Sequence, residues 1–215
     1  MNNHEAETAA YFQPREWLWW ILATTGGWLL GSLATYAISI ALSMTGLGAT
    51  LEADPAQISQ STALLLMALY LVSSLIVGLA IGALQWLVLR RHTPGINRWA
   101  IFTGLGFTLG WLVFWPFMGI GVGLTQWLLL RRDLNKTGWW LVVNSVAWPL
   151  GYLFGSVGGA ALGNALGSAF LGGVIGSILI GTLIGAITGA ALLWLLRENR
   201  VLLGGLRQEL EEARP

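Results

Sequence analysis

Two glutamines interrupt apolar runs in matching surroundings, Gln85 in GALQWLVLRR and Gln126 in GLTQWLLLRR. A primary amide inside such a run is costly unless its polar atoms find partners, so these side chains are the first candidates for chemistry. Each shares a helix face with the glycine three residues earlier and lies about 7.5 Å along the axis from its closing arginine, Arg90 or Arg131. Thr24, Thr103 and Asn144 hold matching positions elsewhere, four residues after Trp20, Trp99 and Trp140. Together these five residues make a polar layer about one turn inside the ends of the runs. Such a layer suits two roles. It can fix helix register through hydrogen bonds worth about 1 kcal/mol each. Alternatively it can line a vestibule or contact a ligand, for example with a glutamine carbonyl over the magnesium of a chlorophyll or related pigment, the one cofactor entertained.

Other chemistry is removed by absence. No ionisable side chain lies deep in any apolar run, whereas proton relays, ion-coupled carriers and voltage sensors need such groups. The serines and threonines there have no histidine or lysine base, and paired carboxylates are lacking, so no catalytic residue is assigned and no enzyme is expected. There is no Cys, and His4 and His92 fall outside the runs, which excludes thiol chemistry and leaves no metal site to assign. A net charge of +1, from eleven Lys and Arg against ten Asp and Glu, is too weak to gather nucleic acid. Expected partners are membrane lipids and other membrane-protein subunits, or further copies of the chain itself.

The elements that must position the polar layer are transmembrane helices. Of 215 residues 55% are apolar and 10% charged, and mean hydropathy is +0.68. An ordinary soluble domain is about 25% charged. Runs near 17–44, 62–89, 99–115, 117–130, 139–162 and 170–196 predict an all-α integral membrane protein with six transmembrane helices. The third and fourth have about 16 residues each, with Pro116 at the turn between them, so a thinned or partly re-entrant hairpin is the alternative there. All eleven cations fall at one set of ends, grouped around Arg15, Arg90, Arg131 and Arg197, while the opposite loops carry only Glu52 and Asp54. The positive-inside rule then puts both termini in the cytoplasm, as an even number of spans requires. The N-terminal tail lacks an early positive cluster and the first run exceeds a signal-peptide h-region, which predicts an uncleaved first helix.

The runs repeat one another. Trp20, Trp99 and Trp140 each start a frame that continues with Gly27, Gly106 or Ala147, then Trp28, Phe107 or Trp148, then Gly31, Gly110 or Gly151. The even runs share another frame, in which Gly78, Gly82, Gln85 and Arg90 match Gly119, Gly123, Gln126 and Arg131, then Gly185, Gly189, Leu192 and Arg197. The third copy thus has leucine in place of glutamine. Three tandem hairpins are expected, over 17–91, 98–132 and 139–197, arranged about a pseudo-threefold axis and flanked by a polar tail 1–16 and an amphipathic tail 198–215. In the fifth run small residues continue as Gly151, Gly155, Gly159, Gly163 and Gly167, and the sixth is expected to answer with Gly173, Ser177, Gly181, Gly185 and Gly189. Such small-xxx-small faces predict close helix packing inside the chain, with a homo-oligomer seam as the alternative.

Trp17, Trp19, Trp20, Trp86, Trp99, Trp127, Trp139, Trp140 and Trp194 cluster near the arginine ends, which predicts an interfacial aromatic belt. Trp28, Trp111, Trp115 and Trp148 lie deeper, where each N–H needs an acceptor. Pro149 predicts a bend in the fifth helix. The segment Thr50 to Ser61 reads as a polar excursion. In the C-terminal tail, Leu202, Leu206 and Leu210 recur at helical spacing and suit a membrane surface.

The phrases GALQWLVLRR and GLTQWLLLRR, each followed by a loop and an entry tryptophan, resemble multi-span membrane proteins of cyanobacteria and other phototrophic or filamentous bacteria that carry repeated G-x-x-Q-W-L-x-L-R elements. The resemblance covers most of residues 17–197, and Leu192 with Leu193 departs from it. It implies a bacterial inner or thylakoid membrane and brings no activity with it. The expected function is a non-catalytic accessory or scaffold subunit of a larger membrane complex, photosynthetic complexes among them, or a homo-oligomer. A passive channel or small-molecule transporter is the second reading, and pigment or lipid binding the third.

Overall fold

The computed structural model describes residues 14–44, 59–90, 96–113 and 117–212, with side chains over the parts of these between 15 and 199. Its elements are α1 (Pro14–Ser43), α2 (Gln60–Leu89), α3 (Trp99–Val113), α4 (Met118–Leu130), α5 (Gly138–Ala165) and α6 (Ala169–Glu212). Four of these are long and apolar enough to cross a membrane: Arg15–Ser43, Gln60–Leu89, Gly138–Ala165 and Ala169–Asn199. α3 and α4, with 15 and 13 residues, are shorter. The far-side acids Glu52 and Asp54, the turn at Pro116, Trp115, and the side chains of Leu202, Leu206 and Leu210 lie outside the described residues.

The ends of the helices follow from local chemistry. Ser59 caps α2, its Oγ accepting from the backbone N–H of Thr62 at 3.2 Å. α5 stops at a Schellman turn, in which Ser168 N–H donates to the Gly163 carbonyl and Gly167 N–H to that of Asn164. Gly167 supplies the left-handed backbone this requires, with φ +65. It therefore ends the α5 stripe rather than extending it, and a Cβ there would meet open space.

Each helix packs on its neighbours in sequence, and α6 returns to α1, so the six form a closed ring. Its outward faces are apolar, with Leu22, Leu30, Leu109, Val146 and Val157 all exposed. Its buried polar residues include Thr24, Gln85, Thr103, Gln126, Asn144 and Thr188. That distribution is the reverse of a water-soluble bundle and is the one a lipid solvent selects.

Glycines set the spacing of the ring at every interface. Gly27 and Gly31 of α1 face α2; Gly78 and Gly82 face α3; Gly106 and Gly110 face α4; Gly119 and Gly123 face α5. Gly151, Gly155, Gly159 and Gly163 of α5 face α6, and Gly181, Gly185 and Gly189 of α6 close the ring onto α1. At each of these positions a Cβ would come within 3 Å of the neighbouring helix, as at Gly27, 2.4 Å from the Ile81 Cα, and Gly159, 2.5 Å from the Gly176 Cα. Backbones this close gain dispersion and weak Cα–H···O contacts where lipid offers no hydrophobic drive. The α6 stripe does not answer α5 as a unit: Gly172 and Gly176 meet α5, Gly181 onward meets α1, and Gly173 faces open space. A helix with two neighbours needs two small faces, and a run of glycines every four residues can serve only one of them at a given height.

Gly159→Val should overpack the α5–α6 contact and destabilise the fold by about 1–3 kcal/mol. Gly173→Val, in open space, should leave the melting temperature unchanged, as read by circular dichroism in detergent.

Candidate functional site

The residues that lead each frame of the sequence come together on the ring axis. Trp20, Trp99 and Trp140 are fully buried, and their rings meet in a triad with centroid distances of 6.2, 6.2 and 6.1 Å. The sequence assigned them to an interfacial belt. Of that group, Trp19, Trp139 and Trp194 are exposed as a belt requires. The triad faces inward because its three members share one helical register, which an interfacial role does not demand.

Buried indole N–H groups need acceptors, and for the triad the polar layer supplies them. Trp99 Nε1 donates to Gln85 Oε1 at 3.1 Å and Trp140 Nε1 to Gln126 Oε1 at 3.0 Å. The amide nitrogens reach back to the preceding helix, Gln85 Nε2 to Thr24 Oγ1 at 3.0 Å and Gln126 Nε2 to Thr103 Oγ1 at 2.8 Å. Gln126 Nε2 also approaches Gln85 Oε1 at 3.4 Å, joining the two units. Thr24 and Thr103 pass their own protons to the carbonyls of Trp20 and Trp99 one turn earlier, at 2.9 and 2.8 Å. Each glutamine thus ties its own hairpin to the tryptophan that opens the next, and neither amide can flip without setting donor against donor.

The third unit departs as the sequence does. Leu192 is buried where the glutamine would stand, and Trp20 Nε1 donates instead to Thr188 Oγ1 at 3.0 Å, from one turn earlier on α6. Asn144, which has no glutamine to serve, donates to the Trp140 carbonyl at 2.8 Å and accepts from Trp148 Nε1 at 3.0 Å. Thr188 was missed in the sequence, although it lies four residues before Leu192 and so on the same face. All five polar-layer candidates, Thr24, Gln85, Thr103, Gln126 and Asn144, therefore meet in one buried network. Both glutamine carbonyls accept an indole N–H, and both residues are at most 3% exposed.

Packed apolar layers lie on either side. Toward the arginine ends, Leu89, Ile96, Leu130, Leu195 and Leu196 close over the triad. Arg90 stacks over Trp86 at 5.0 Å and Arg131 over Trp127 at 4.8 Å, which holds those cations at the rim. The connection from α4 to α5 is tied to α6. Asn199 accepts from the Asn135 N–H at 2.6 Å, donates to the Asn135 carbonyl at 3.2 Å, and is joined by a Lys136–Glu198 ion pair. On the other side, Trp28, Phe107 and Trp148 form a second aromatic triad with centroids 5.8, 5.7 and 5.5 Å apart. Beyond it the ring opens into a cup of about 530 Å³. Among the described residues no cluster of His, Asp or Glu could hold a metal.

Gln126→Leu should cost about 1–2 kcal/mol by orphaning the Trp140 N–H. Adding Trp140→Phe should cost less than the sum of the two single changes, and a coupling energy near zero in a double-mutant cycle would refute the pairing.

Comparison with known protein families, with curated proteins and with solved structures finds no match to this chain.

Proposed function

We propose that this chain is a six-span, non-catalytic protein of a bacterial inner or thylakoid membrane, built as three tandem hairpins about a pseudo-threefold axis with both termini in the cytoplasm. It serves as an accessory or scaffold subunit of a larger membrane assembly, a photosynthetic complex among the candidates, or of its own homo-oligomer. The observation that carries this reading is the self-sufficiency of the polar layer: its amides, hydroxyls and indole N–H groups bond within the chain, between two packed aromatic layers. Such a layer is spent on holding helices together, and the broad apolar outer faces are left for contact with lipid and neighbouring proteins. The closed ring supports the hairpin repeat, and the gathering of cations at one set of ends supports the orientation. The same packed layers count against a passive channel, which needs a wet path where the triads stand.

Purification of the tagged protein from its host's membranes in mild detergent tests the role. A stoichiometric assembly, with partners or with copies of itself, is expected on native mass measurement. A particle containing one copy of this chain and nothing else would overturn it. The absence of Cys makes the topology directly testable. Ser59→Cys should react with an impermeant maleimide from outside intact cells, and Arg132→Cys only after the membrane is opened. Gln85→Leu with Gln126→Leu should lower stability while leaving assembly intact in the folded fraction; full loss of assembly by a stably folded variant would contradict the packing role.

A further inference from the structure

The cup beyond the second aromatic triad has chemistry that neither the ring's packing nor its proposed role uses. Its floor is aromatic, made by Trp28, Phe107, Trp111 and Tyr152, with Trp111 and Tyr152 centroids 6.4 Å apart. Its walls carry hydroxyls from four helices, and among the described residues no charged side chain lines it. A hydroxyl on a membrane helix ordinarily returns its proton to the carbonyl one turn earlier. Thr35, Ser39 and Ser74 do so here, onto Gly31, Thr35 and Leu71 at 3.0, 3.0 and 2.8 Å. Ser32, Ser73, Ser156 and Ser177 line the same cup, are half-buried, and make no such bond. Four unspent hydroxyls lining one cavity, above an aromatic floor, form a polar-tipped apolar pocket of the size that takes small ligands, about 300–1,000 Å³.

The rim is uneven. α3 ends at Val113, about 15 Å beyond Thr103, whereas α1 continues to Ser43, about 28 Å beyond Thr24. α4 contributes nothing to the lining. Among the described residues, α3 and α4 thus make a low wall between α2 and α5, facing the lipid rather than the axis.

We propose that the cup binds an uncharged lipid whose hydroxyl or ester oxygens meet the four free serines and whose apolar body lies on the aromatic floor, entering sideways over the α3–α4 hairpin. The described lining, which carries no charge, disfavours a phosphate-bearing headgroup, since an ion brought against it would be desolvated with no counter-ion there. The serine hydroxyls are both donors and acceptors, and so match an alcohol or an ester. This inference rests on the chain being a membrane protein and is independent of what it assembles with.

The test is native mass spectrometry of the delipidated full-length protein, titrated with dioleoylglycerol and, separately, with dioleoylphosphatidic acid, which differs by its charged phosphate. One saturable dioleoylglycerol adduct is expected, at least about tenfold tighter than any with phosphatidic acid. Ser156→Phe, which fills the cup, should abolish it. Ser32→Ala with Ser177→Ala, which adds no bulk and so serves if the filled variant does not fold, should weaken it several-fold. Equal binding of the two lipids would assign the cup to any bilayer acyl chain and overturn the proposal. So would the absence of a saturable adduct, or an adduct indifferent to both the filling and the hydroxyl deletions.

Discussion

An indole N–H removed from water must be given an acceptor, and in a lipid solvent that acceptor can come only from the protein or from a rare buried water. Three such groups sit at the centre of this ring, and the placing of the other residues of the polar layer follows from them. The glutamines accept from Trp99 and Trp140, the threonines then take up the amide protons, and the tryptophan carbonyls take up the threonine protons. Each acceptor's remaining capacity creates the need for the next residue, which explains why tryptophan, threonine and glutamine recur at fixed spacing. Where glutamine gives way to Leu192, the adjustment is local. Thr188 takes over the acceptor role for Trp20, and Asn144 replaces threonine and turns to Trp148.

This network requires helices close enough for short side chains to reach across, and glycine provides the closeness. Most helices present glycines to the one that follows, while Gly104, Gly121, Gly172 and Gly176 face back to the preceding helix, and the contacts close at α6 against α1. The spacing and the hydrogen bonds are therefore one device. Widening any interface by a methyl group would lengthen bonds such as Gln126 to Thr103, which is 2.8 Å. Two aromatic triads stacked along the axis fill the space that a ring of six helices would otherwise leave at its middle.

Much of this could be read from the residues alone. Gln85, Gln126, Thr24, Thr103 and Asn144 form one layer because equal spacing from a repeated tryptophan fixes equal depth. The glycine faces were visible because period four on a helix is a stripe. Three features were not visible. Composition near a membrane surface suggests an interfacial tryptophan, and only the recurrence of Trp20, Trp99 and Trp140 in the same frame separates the inward three from Trp19 and Trp139. A glycine stripe gives no direction, so the division of α6 between α5 and α1 depends on ring closure, which is a global property. Thr188 stood outside the aligned frame because the third unit solves the same bonding problem from a neighbouring turn.

The bond between Trp20 and Thr188 spans 168 positions of the chain. A chain inserted as it is synthesised places α1 in the bilayer first, with its glycines Gly27 and Gly31 soon covered by α2, while the acceptor for Trp20 and the helix that covers the other flank of α1 are made last. Until then the first helix holds an unanswered donor and an open side. Arrival of the final helix supplies the acceptor and covers the open flank of α1 in one step.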